Sequence, residues 1–88
     1  MESKFVKKTE TYYVARHNAT TDEHVVMDYN SYLGMYQPLT EIENAKGFAE
    51  QAKAQKLRDM MNMMAEFNSA PYTHYVLKRV STVTEENE

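Results

Sequence analysis

Three histidines, at positions 17, 24 and 74, are the residues of this 88-residue chain best suited to chemistry. A hairpin joining the segment that ends at His17 to the one that starts at His24 brings those two imidazoles together, with Asp22 or Asp28 in reach to complete a nitrogen and oxygen metal shell. None of these pairs has the fixed helical or loop spacing by which metal sites are recognised, so the expectation is surface or strand-edge histidines and no bound metal. Asp22, Glu23 and Asp28 also offer carboxylates for acid/base work. That chemistry needs one of them desolvated enough to shift its pKa, and all three lie in or beside a polar turn. The only glycines are Gly34 and Gly47, too few for a phosphate-cradling loop or a sharp nucleophile turn. With no cysteine, a disulfide, a thiolate zinc site and a cysteine nucleophile are all excluded. No catalytic, cofactor or metal site is therefore expected, and the chain reads as a protein that is not an enzyme.

What remains is binding. The run Met60-Met61-Asn62-Met63-Met64 is the most unusual local feature, because flexible, polarizable thioethers fill irregular cores and also line adaptable protein-binding surfaces. Helical spacing puts Met60, Met61 and Met64 on the core face and Met63 at its margin, where a partner or a second copy would meet it. Seven tyrosines and no tryptophan suit sheet faces with one wet end of the ring. Tyr12, Tyr13, Tyr72 and Tyr75 on neighbouring strands, beside Lys7, Lys8, Arg16, Lys78 and Arg79, could stack the bases of a single-stranded nucleic acid. No glycine-aromatic signature accompanies them, and ordinary cross-strand pairing explains them as well.

The elements that must position these residues follow from periodicity. Thr9 to His17 and Glu23 to Tyr29 are rich in aromatic and β-branched residues, and the polar 18–22 segment between them predicts a hairpin. In the second strand Val25, Met27 and Tyr29 share one face, taken as the core side. Residues 30–39 hold a glycine, a proline and scattered aromatics with no sustained period, which predicts an exposed loop. Such loops often carry function, which nominates Tyr32, Leu33 and Tyr36 as partner-binding residues, unless they only cap the core. Thr40-Glu41-Ile42-Glu43 matches a capping box. However, Ala45, Phe48 and Ala52 lie roughly 120–180° around a helix from Leu57, Met60, Met61, Met64 and Phe67, so one straight helix cannot bury both sets. A break near Gly47 resolves the conflict: Glu41 to Phe48 is a short strand or irregular piece, and the helix runs from about Ala49 to Phe67. Its opposite stripe is Gln51, Gln55, Arg58, Asp59, Asn62 and Glu66, and Asn68-Ser69-Ala70-Pro71 ends it. Tyr72 to Val83 has high β-propensity and adds a last strand to the hairpin.

The predicted fold is α+β, a small antiparallel sheet of three to four strands with one long amphipathic helix on one face. It forms a single domain over residues 1–88 with a core from about 9 to 83, between a basic front at Lys4, Lys7 and Lys8 and an acidic tail at Glu85, Glu86 and Glu88. A chain of this length buries only about 60–65% of its unfolded surface, so a surface site is more realistic than an enclosed cofactor cavity. The net charge of −3 argues against a dedicated sequence-independent nucleic-acid binder. No apolar stretch reads as a leader or a membrane span. Together with the absence of cysteine, this predicts a reducing, cytoplasmic setting, in which the sequon Asn18-Ala19-Thr20 stays unmodified.

Tyr12-Tyr13-Val14-Ala15, a second strand, and Asn44-Ala45-Lys46-Gly47-Phe48 before an alanine-rich helix and a closing strand resemble a group of small proteins from phage early regions. The segment similar to that group's Ala-Lys-x-Phe is Ala45 to Phe48. In the group this segment is a strand, which agrees with the break near Gly47; the usual Ser or Thr cap after the phenylalanine is missing here. The resemblance implies no activity, cofactor or functional residues. Small size, the lack of a catalytic set and the aromatic stretch at Tyr32 to Tyr36 lead to the expectation of a phage-encoded accessory protein in the cytoplasm of a bacterial host, one that binds a host or phage protein to blunt a defence or redirect replication. A single-stranded nucleic-acid factor is the alternative. Exposed strand edges on so small a domain also leave self-association open, through Met63 or the last strand.

Overall fold

The computed structural model describes the backbone of residues 7–83 and the side chains of residues 9–81. The basic stretch at Lys4 and the acidic Glu85, Glu86 and Glu88 lie outside the described residues, as do the side chains of Lys7 and Lys8. Four strands, β1 (Lys7–Asn18), β2 (His24–Asn30), β3 (Met35–Leu39) and β4 (Tyr72–Val83), form one antiparallel sheet in the order β3-β2-β1-β4. One helix, α1 (Gln51–Phe67), lies across one face, so the architecture is the expected small α+β fold.

Both hairpins turn by the same device. Asn18 Oδ1 accepts hydrogen bonds from the Thr20 and Thr21 amides, and the Asp22 N–H donates to the Asn18 carbonyl at 2.7 Å. Twelve residues later, Asn30 Oδ1 accepts from the Tyr32 and Leu33 amides, and the Gly34 N–H donates to the Asn30 carbonyl at 2.8 Å. In each turn the fifth residue is left-handed, Asp22 at φ 60° and Gly34 at φ 67°. The second turn makes residues 30–39 a hairpin, whereas the sequence reading expects a loop. Pro38 is compatible with this because β3 is an edge strand, where a missing N–H costs nothing.

Residues 41–48 do form a short irregular piece. A 3₁₀ turn at Ile42–Asn44 leads to Phe48, whose N–H and C=O exchange hydrogen bonds with Tyr12 at 2.7 and 2.8 Å. Phe48 thereby extends the sheet beside β1 where β2 has turned away. Gly47 makes the approach feasible: its φ is 72°, and a Cβ there would sit 2.6 Å from Thr11 Cγ2 and 2.8 Å from Tyr13 Cε1. The helix starts at Gln51 with no side-chain cap on its amides. It ends where Ser69 turns left-handed and the Ala70 N–H reaches back to the Ala65 carbonyl, a Schellman-type stop before Pro71.

The core centres on Tyr12, Val14 and Ala54, with Phe48, Leu57, Met61 and Val76 packed around them. The buried helix face runs Ala54, Leu57, Met61, Ala65, rotated from the Leu/Met/Phe stripe that hydropathy alone selects. Small alanines let α1 approach the sheet closely, and Met60, Met64 and Phe67 are left on the flank, Phe67 at 84% exposure. Asn62, expected on the solvated stripe, is half-buried against β4. On β2 the assignment of faces needs a similar correction. Met27 lies on the helix side opposite Val14, but Val26 on the other face is the buried residue and Tyr29 is largely exposed.

Candidate functional site

One helix cannot cover this sheet. Strands about 4.8 Å apart place the outer axes of four strands about 15 Å from one another, whereas a helix with its side chains is about 10 Å across. Because α1 packs on β1 and β4, the same face of β2 and β3 is left open. The resulting groove, about 440 Å³, has Met27 and Tyr36 on the sheet side and Leu57, Met60, Met61 and Met64 along the helix, and it closes at Ala70, Tyr72 and His74. Met60 and Met64 are 56% and 59% exposed, so they form a wall rather than fill a core. Among the described residues that line it there is no lysine, arginine or carboxylate.

Of the four residues nominated from sequence for a partner, only Tyr36 lines this groove. Its ring meets Tyr29 edge-on with centroids 5.2 Å apart, and burial, before the neighbouring Tyr29 and Asp28, pushes its hydroxyl pKa up. Tyr32, 99% exposed, and Leu33 sit at the tip of the β2–β3 turn. Met63, 69% exposed, points away from the sheet, opposite the buried alanines. The groove-lining methionines were legible as a cluster; that they stay open depends on the rotation of α1.

The proposed nucleic-acid residues are dispersed. Strand alternation puts Tyr12 and Tyr72 on the helix side and Tyr13 and Tyr75 on the other, and Tyr12 and Tyr13 are buried. The Arg16 guanidinium stacks on Tyr72 at 4.2 Å, with its Nε buried and lacking a hydrogen-bond partner among the described residues. Lys78 pairs with Glu10 at 3.3 Å, and the Tyr12 hydroxyl donates to the same carboxylate, which holds its own pKa up. Arg79 is exposed on the opposite face from Lys78. For Lys7 and Lys8 only the backbone, paired with Val83 and Thr82, is described.

His74 is buried at the end of the groove. Its Nδ1 lies 3.0 Å from Asn62 Oδ1, and burial, reinforced by the Arg16 charge, depresses its pKa. His17 and His24 behave differently. They pair across β1 and β2 on the face opposite α1, their rings stack at 4.4 Å, and His17 Nε2 is 2.8 Å from Asp22 Oδ1. That hydrogen bond, then the His17 charge, holds the Asp22 carboxyl below the usual carboxylate range.

Compared with known protein families, with curated proteins and with solved structures, the chain shows no significant match to any of them. Among the described residues no helix is long and apolar enough to cross a membrane. The functional reading therefore stands on the geometry of the two faces of the sheet.

Proposed function

We propose that this chain is a non-enzymatic interaction protein that takes an amphipathic helix of a protein partner into the slot beside α1, over β2 and β3. The observation that carries the reading is the part of the helix-side face over β2 and β3 that α1 does not cover, walled by exposed thioethers. A helix laid there completes the second layer that a four-stranded sheet accommodates, and methionines adapt to the apolar residues at i, i+3, i+4 and i+7 of whatever helix enters. The lack of lining charge favours an apolar protein segment over a phosphate backbone. The resemblance to phage early-region proteins supports a host or phage protein as that partner.

A photo-crosslinking residue in place of Met60, used in lysate of a bacterial host with and without nuclease, tests this. The expected result is a nuclease-insensitive protein adduct that is lost with Met64→Lys and kept with Met63→Lys. Equal retention in both variants, loss on nuclease treatment, or an adduct only to a second copy overturns the reading.

A further inference from the structure

The face of the sheet opposite α1 carries an arrangement independent of the groove. His17, Asp22 and His24 each present one ligand atom such that all three atoms lie within 4.8 Å of one another. We propose that they form a binding site for a divalent transition-metal ion of the zinc class, with two imidazole nitrogens and one carboxylate oxygen as ligands and solvent completing the shell.

Three features support the assignment. The donor set of neutral imidazole and carboxylate is the one zinc takes at bond lengths of about 2.0–2.2 Å. Tetrahedral ligand atoms at that bond length stand about 3.3 Å apart, so the 2.8 Å contact between His17 Nε2 and Asp22 Oδ1 needs to open by only about half an ångström. The proton they share leaves for solvent as the metal enters. Second, the Tyr75 hydroxyl lies 2.8 Å from His24 Nδ1. In the ligating tautomer Nδ1–H donates to that oxygen, which fixes the ring and leaves the Nε2 lone pair for the metal. Third, the two hairpin turns are built alike, but the left-handed position held by Gly34 in one is held by Asp22 in the other. Glycine is the unstrained choice at such a position. An aspartate there aims a carboxylate at His17.

The test is calorimetric titration of the intact protein with zinc chloride at neutral pH in a non-chelating buffer, with cobalt(II) absorption as a second readout. We expect one ion per chain, proton release, and a cobalt d–d band. His17→Ala and His24→Ala should abolish the binding, and Tyr75→Phe should weaken it by about tenfold or more. Asp22→Gly separates ligation from folding: it should fold at least as well as the parent while losing the ion. Absence of saturable binding, or binding that survives the His17→Ala/His24→Ala double substitution unchanged, overturns the proposal.

Discussion

The Asn62 side chain holds both backbone groups of His74: its carboxamide oxygen accepts the His74 N–H at 2.6 Å and its amide donates to the His74 carbonyl at 3.1 Å. His74 stands opposite Arg16, a position in the β1–β4 ladder whose amide and carbonyl point away from β1, toward the outer edge of the sheet. A single helix side chain thus does at that position what a fifth strand would do, and blunts part of a twelve-residue edge strand. Asn62→Ala leaves two buried backbone groups unpaired. Urea unfolding should show a loss of about 1–3 kcal/mol. A loss indistinguishable from that of an exposed substitution such as Met63→Ala would mean that water replaces the carboxamide fully.

The two glycines make opposite demands. Gly34→Ala meets no atom of the described residues within 4 Å and should cost only the left-handed backbone penalty, about 1–2 kcal/mol. Gly47→Ala adds a clash with Thr11, Tyr13 and the Tyr12 carbonyl, and should cost about 2–5 kcal/mol in all. Denaturation midpoints of the pair decide it: equal losses would show that residues 45–48 do not lie against β1.

The rotation of α1 is open to the same kind of comparison. Ala54 is fully buried between helix and sheet, so Ala54→Met should destabilise by about 1–3 kcal/mol through overpacking. Met64→Lys, on the open groove wall, should change stability by no more than about 0.5 kcal/mol. The reverse order in thermal unfolding would place the methionine stripe, and not the alanine stripe, against the sheet.

Stability should also carry a signature of His74. Its folded pKa is depressed from 6.5 chiefly by burial, so the unfolded chain binds this proton more readily than the folded one. The contribution of the neutral imidazole is complete above about pH 6.5 and is lost as the pH falls from there toward the lower folded value. His74→Gln should flatten the dependence of the urea midpoint on pH across that acidic window. An identical slope in the two proteins would assign the dependence to other groups.

Local pattern was enough for much of the fold. The run from Thr9 to His17, the alternation in 24–29, the phase conflict around Gly47 and the β-rich 72–83 segment each expressed a preference that the finished sheet and helix satisfy, because each depends on neighbours in sequence. The 30–39 hairpin was missed for lack of a period, although the Asn30 to Gly34 spacing repeats that of Asn18 to Asp22 and is the signal that identifies it. Other features depended on how far apart the elements sit. Hydropathy selects Leu57, Met60, Met61, Met64 and Phe67 as a core stripe, but close approach of helix to sheet requires alanine at the contact. That turns Met60 and Met64 into a groove wall and Asn62 into a cap for the edge of β4. Likewise the sequence offers His17, Asp22 and His24 without any metal-ligand spacing. Only the β1–β2 register, which places His17 opposite His24, and a left-handed Asp22 bring their donor atoms within reach of one ion. Sequence determines which local conformations are cheap; the width of one helix against four strands, and the register of one hairpin, decide what is left exposed to bind.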